Sequence, residues 1–356
     1  TEVNMAVYTT INDPSAQFQT ALYTGTGSSQ SIVNDGNANL QPDLVWGKVR
    51  STTNNHVLVN SAPNGITKYL IPNATNSLAT DASVLTALNS DGFTGGGTGI
   101  LNGSGNTYVA WQWKINGGTT SSVGVGSITT TVQANTTAGV SIARYTGNGV
   151  NGATIGHGLG KTPTMVWVKG EEGAESWQIY NVSLGPTKYD ELDSDSVPGT
   201  NANRWSNTAP TSSIINLGNG NSVNYSGRVF LAFSFAPIQG FSQFGSYTGN
   251  GNADGPFVYT GFKPAWLMIK NTASTWDWQI LDDKRNPFNS NSPIYLAPNT
   301  TGADNTGSDA PIDFLSNGFK VRTSSALRNG SGNEVTYAVF ASSPFTTSDG
   351  VPTTAR

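Results

Sequence analysis

Apolar positions in this chain come in short runs, separated by stretches rich in Gly, Ser, Thr and Asn. None of the runs sustains the 3.6-residue period of a long amphipathic helix. Tyr108-Val109-Ala110-Trp111-Gln112-Trp113 and Phe230-Leu231-Ala232-Phe233-Ser234-Phe235 alternate in part with period two. That places Trp111 with Trp113, and Phe233 with Phe235, on one face of a half-buried strand. Other runs open on Pro and close on Lys: Pro42 to Lys48, Pro163 to Lys169 and Pro264 to Lys270. Pro is tolerated at the first position of a strand, so each run predicts a strand buried over most of its length. Short helical turns are expected over 14–20, with Asp13 as cap and Pro14 at the first helical position, and over 83–88.

These runs recur in one order. Tyr23-Thr24-Gly25-Thr26-Gly27 returns as Tyr145-Thr146-Gly147-Asn148-Gly149 and as Tyr247-Thr248-Gly249-Asn250-Gly251. After each come the Pro-led strand and then a second strand, beginning at His56, Trp177 or Trp278. Asn102-Gly103-Ser104-Gly105, Asn224-Tyr225-Ser226-Gly227 and Asn329-Gly330-Ser331-Gly332 precede the closing aromatic strands and read as tight hairpin turns. The predicted organisation is an N-terminal attachment segment (1–22), modules over 23–114, 145–237 and 247–345, a connector (115–144), a linker (238–246) and a polar tail (346–356). The connector holds Ile128 to Val132 and Val140 to Ala143, which are expected to add edge strands to the second module. Modules of this length suit small β-sandwiches.

Composition narrows the class. Only 11% of the 356 residues are charged, while aromatics reach 10%. A disordered chain shows the reverse. A net charge of -4 and the lack of a basic run argue against nucleic-acid binding. No apolar stretch is long enough for a transmembrane helix, so no membrane insertion is expected. The N-terminal residues lack the basic and apolar regions of an uncleaved signal peptide. Cys is absent, which removes disulfides and thiol chemistry.

Candidate chemistry is sparse. The two histidines, His56 and His157, lack partners at metal-ligand spacing and are expected to be structural or surface residues, with His56 packing in the place of Trp177. The run from Asp190 to Asp195 offers Asp193 and Asp195 as Ca²⁺ ligands, although a solvated acidic turn is the simpler reading. Glu171, Glu172 and Glu175 read as a solvated acidic loop. Carboxylate pairs for glycoside hydrolysis are unspecific here, and no nucleophile-elbow motif occurs. Trp177, Trp205 and Trp276 sit in polar, turn-rich surroundings, as does Trp278. The first three are the candidates for stacking on sugar rings; the competing reading buries them in sandwich cores.

One longer pattern carries a family likeness. Tyr145 to Gly149 is followed by Gly156-His157-Gly158-Leu159-Gly160-Lys161-Thr162-Pro163, then Leu184 to Tyr189 and Trp205 to Ser213. The third module keeps much of this order, and its Ser316-Asn317-Gly318-Phe319 matches Ser90-Asp91-Gly92-Phe93 of the first. The pattern resembles a repeated domain of structural proteins from marine tailed phages. That resemblance implies concanavalin- or laminin-G-like sandwiches in tandem, and a virion protein without enzymatic activity. A tail fibre or tail-tip component that adheres to host glycans is the leading expectation. A ligand-free head-decoration or filament-forming protein is the alternative, and a polysaccharide depolymerase the second. The expected partners are other virion proteins, a host surface glycan or receptor, and further copies of the chain, with a homotrimer as the guess.

Overall fold

The computed structural model describes residues 8–306 and 310–352, and over them the chain is all-β. Three large sheets share one strand order. In the first, Phe18–Thr24 pairs with Thr107–Trp113, which pairs with Leu44–Val49, which pairs with Val57–Asn60. The second repeats this with Val140–Thr146, Val229–Phe235, Met165–Gly170 and Gln178–Asn181. The third uses Ser242–Thr248, Glu334–Pro344, Phe262–Asn271 and Gln279–Asp282. All pairings are antiparallel, and Tyr23, Tyr145 and Tyr247 hold equivalent register positions opposite Tyr108, Phe230 and Val335. A smaller sheet accompanies each: Gln30–Ile32 with Phe93–Gly95 and Leu85–Leu88, Ala153–Gly156 with Ile214–Leu217, and Phe257–Tyr259 with Gly318–Val321 and Ile312–Leu315.

Both faces of the large sheets are buried, not one. In the first repeat Val45, Val57, Val59 and Ala110 pack on Ile32, Leu85 and Phe93 of its own small sheet. The opposite faces of all three large sheets meet in a single cluster. There Trp46 meets Trp167 edge to face, Trp266 meets both Trp111 and Trp113, and Phe340 meets Phe235 and Phe18. Each such aromatic pair contributes about 0.5–1.5 kcal/mol beyond its buried area. Trp111 with Trp113, and Phe233 with Phe235, do share a face, and that face is the shared centre.

The recurring Tyr-Thr-Gly-X-Gly motif is a clasp. The Tyr23, Tyr145 and Tyr247 hydroxyls donate to Leu101 O, Val223 O and Arg328 O at 2.6–2.7 Å. Asn102, Asn224 and Asn329 accept at Oδ1 from the N–H of Thr26, Asn148 and Asn250. Their Nδ2 groups donate to Gly96 O, Gly218 O and Thr323 O. A Cβ on Gly25, Gly147 or Gly249 would stand 2.3–2.4 Å from a carbonyl oxygen. Gly27, Gly149 and Gly251 have φ between 67° and 75°, open to glycine at little cost. The Asn turns therefore end one-turn helices (Gly99–Asn102, Asn221–Asn224, Ala326–Asn329) and are not simple hairpins.

Other expectations change as well. Residues 85–88 form a strand, not a helical turn, because Leu85 pairs with Gly95 and Leu88 with Phe93, and Leu85 joins the small core. The turn at 14–20 is a 3₁₀ turn, Pro14–Ala16, capped by the Asp13 carboxylate. The first strands begin at Phe18, Val140 and Ser242, ahead of the expected module starts. Residues 18–22 of the expected attachment segment thus belong to a sheet. Tyr8 donates to Gly261 O at 2.6 Å, and Asn12 and Ser348 exchange two hydrogen bonds. Residues 1–7 of that segment and 353–356 of the expected tail lie outside the described residues. In the connector, Ser121–Val123 and Thr130–Asn135 extend the second large sheet at its edge.

Candidate functional site

Side chains that repeat in the sequence converge on the seams between repeats. Lys48, Lys169 and Lys270 occupy one register position and are fully buried. Lys48 Nζ donates to Thr301 O in the third repeat at 3.2 Å, Lys169 to Thr75 O in the first at 2.8 Å, and Lys270 to Asp195 O in the second at 2.7 Å. A carbonyl of the lysine's own repeat completes each set: Val49, Glu175 or Trp276. The direction is cyclic, first to third, third to second, second to first. Burial pushes Lys48 and Lys169 down to about 8 and lowers Lys270 too, against the pull of nearby carboxylates.

The strand-start aromatics follow the same cycle. Trp177 Nε1 donates to Ile71 O and Trp278 Nε1 to Glu191 O, while His56 Nε2 meets Ala297 O at 3.1 Å. His56 Nδ1 accepts from Trp46 Nε1, which fixes a neutral ring with its proton on Nε2. Burial lowers its pKa, aided by Lys48. His157 is neutral in the same sense, with Nδ1 accepting from Leu159 N and Nε2 facing Thr211 O. Both histidines are packing residues.

The surface-stacking expectation fails for two of its three tryptophans. Trp177 is buried in the seam with the first repeat, and Trp205 is buried against Tyr180. Neither presents a ring face to a ligand. Trp276 is the exposed one, at 36%. Asp193 and Asp195 do not act as a pair: Asp193 Oδ1 accepts from Trp177 N, and Asp195 supplies its carbonyl to Lys270. Asn73 and Asn299 play the Asp193 part for His56 and Trp278. Among the described residues no three acidic or histidine side chains gather as an ion site. The acidic loop is also less solvated than expected, since Glu171 is buried in a two-point ion pair with Arg144.

Two features escaped sequence reading. Asp282, fully buried, accepts from Trp111 Nε1 and Arg285 Nε, while Arg285 also reaches Asp304, which holds Arg50 of the first repeat. No spacing in the sequence signals this network. Asp190, by contrast, stands at the position of buried Leu70 and Leu296 in the repeat alignment, so its oddness was visible. Burial raises it to about 7, and its Oδ2 has no partner.

One concave feature lies at the seam of the first and third repeats. It is a cavity of about 170 Å³ that Phe18, Thr20 and Asn37 line from one side and Ala265, Asp283 and Ser342 from the other.

The sequence matches, over residues 13–344, a family described as a domain of unknown function (DUF7483). The chain belongs to that family, whose single unit spans all three repeats. No curated protein and no solved structure matches the chain.

Proposed function

We propose that this protein is a non-enzymatic structural component of a phage particle, and that its work is architectural. The phage setting rests on the resemblance of its repeats to marine tailed-phage structural proteins. The architectural role rests on one observation: each repeat is bonded to both others in a cyclic pattern around a shared aromatic centre. Such a ring is a preassembled threefold block. Its recurring polar side chains serve the seams and clasps, and few are left to reach a ligand. We read each repeat as a concanavalin- or laminin-G-like sandwich, supported by the pairing of a large and a small antiparallel sheet over an apolar layer. Assembly with other virion proteins and with further copies belongs to this proposal. Host-glycan adhesion is the second reading, favoured by the exposure of Trp276.

Immunogold labelling of particles encoded by the same genome tests the proposal. An antibody to the folded chain should decorate purified particles, on the head or along a filament for an architectural block and at the tail tip for an adhesin. Particles free of label would refute the structural role.

A further inference from the structure

The connector that closes one side of the second repeat has no counterpart in the third. In the second repeat Thr130–Asn135 pairs with Val140–Thr146 at the edge of the large sheet. The residues just before it cover the edge of the small sheet. Ile128 N donates to Thr154 O at 3.0 Å, and the backbone N–H groups of Ser127 and Thr154 donate to each other's hydroxyls at 2.8 and 2.9 Å. Val123 and Val132 lie so close to Gly156 and Gly158 that a Cβ there would stand 2.4 and 2.9 Å from them. In the first repeat Gly36 and Ala38 lie along that side, bonded to Gln19 and Ser15. In the third the large sheet ends at Ser242–Thr248 and the small one at Phe257–Tyr259, with no such segment among the described residues. This open side is reachable: Phe257 and Tyr259 are 45% and 54% exposed. Val321 N donates to Pro256 O and Thr260 N to Asn317 O, which turns the N–H and C=O groups of Phe257 and Tyr259 away from the sheet. No described residue bonds to those groups. Beside them a groove of about 300 Å³ is lined by Gln239, Ser242, Gln243, Tyr259 and Thr260, all uncharged.

We propose that this side takes up one extended, uncharged, β-forming segment of another polypeptide chain, added as a strand at the Phe257–Tyr259 edge. Strand addition of this kind draws affinity from main-chain hydrogen bonds and specificity from the pockets beside them. The internal copy states what fits. Residues 115–143 contain no Asp, Glu, Lys or Arg, and Val123, Val125, Ile128 and Val132 are spaced among Gly, Ser and Thr. A charged segment would instead bring unpaired charge against two aromatic rings and a neutral groove. The inference deepens the architectural reading, because it names a surface by which the block joins another chain. Its test needs no particles, so labelled particles together with failed peptide binding would sink this surface alone.

Calorimetry and amide NMR on the full chain test it, using a synthetic peptide of residues 119–136 and short uncharged peptides that alternate Val or Ile with Thr. At least one peptide should bind with a Kd of about 100 μM or below. The shifted amides should be those of Phe257, Tyr259 and their neighbours. Phe257→Pro removes an outward N–H and no sheet bond, and should weaken binding by about threefold to tenfold. Phe257→Lys keeps that N–H and sets a charge on the edge, so it should weaken binding too, with the melting temperature little changed. Silence from every peptide at about 1 mM would overturn the proposal. So would binding that neither variant changes, or shifts confined to 140–156, which would mean exchange with the second repeat's own strand. Binding that appears only once residues 1–7 are removed would overturn it as well, by assigning the seat to this chain's own N-terminal residues.

Discussion

Asp190 shows how much a single side chain discloses when two internal copies serve as controls. Leu70 and Leu296 fill its position in the other repeats, both fully buried. Its folded pKa of about 7 exceeds the usual carboxylate value, because burial outweighs the nearby Lys270. A carboxyl raised in this way binds its proton more tightly in the folded state. Its contribution is therefore complete at low pH and is lost as pH rises through about 7. Asp190→Leu should raise the melting temperature by a few degrees at pH 8 and by less at pH 5, read by calorimetry at both values. A variant less stable than the parent at pH 8 would show that the carboxylate has a compensating partner. His56 and His157 act with the opposite sign. Both are held neutral with lowered pKa values, so their contribution is present above about 6.5 and is lost as pH falls. Urea titrations of His157→Gln between pH 5 and pH 7 should show a shallower acid loss than the parent; an unchanged slope would mean that His157 titrates normally.

The clasp turns the recurring motif into a measurable claim about its two glycines. Gly147 has an ordinary negative φ, yet a Cβ there would lie 2.4 Å from Tyr225 O. Gly149 has a φ of 69°, and a Cβ there would meet nothing closer than Ser226 Cβ at 3.3 Å. Gly147→Ala is therefore a steric substitution and should cost about 1–3 kcal/mol. Gly149→Ala is a conformational one and should cost about 1–2 kcal/mol. Urea denaturation of the two variants measures both costs, and a neutral Gly147→Ala would show that the loop can open. This element was legible in the sequence because its residue types are dictated locally: glycine for close approach, Asn for a side chain that both donates and accepts, Tyr for a hydroxyl on a ring. The Pro-to-Lys strands were legible for the same reason. Trp177 was not. Its polar neighbours suggest a surface, and its burial comes from Ile71, about a hundred residues away in another repeat. Lys48, Lys169 and Lys270 were visible as recurring strand ends, but the carbonyls they reach belong to other repeats, which no local spacing discloses. The sequence pattern records each repeat's own fold and carries little about the faces that repeats turn toward one another.

Those faces decide the behaviour of the whole molecule. The second repeat alone would expose Trp167, Trp177, Phe233 and Phe235, a contiguous apolar surface of the kind that drives association. A fragment spanning 129–237 should accordingly aggregate or bind hydrophobic dyes, whereas the full chain should unfold in one transition. Cutting the ring is different from dividing it. Asn12 and Ser348 are joined by hydrogen bonds of 2.6 and 2.8 Å, and the Tyr8 and Phe345 rings lie 6.5 Å apart, so the two ends of the described chain are neighbours. Thr119 and Thr120 are exposed in the passage between the first and second repeats. A permutant that joins residues 12 and 348 through a short Gly-Ser linker and begins at Thr120 breaks no strand pairing within the sheets and keeps the lysine and tryptophan seams, giving up only the Tyr8 and Thr9 hydrogen bonds and the buried Ile11. It should fold to a monomer-sized species with the parent's near-ultraviolet spectrum and a melting temperature lower by only a few degrees. Separate unfolding steps for 120–237 and the remainder would mean that the covalent passage from the first repeat to the second, and not the cyclic contacts, holds the ring closed.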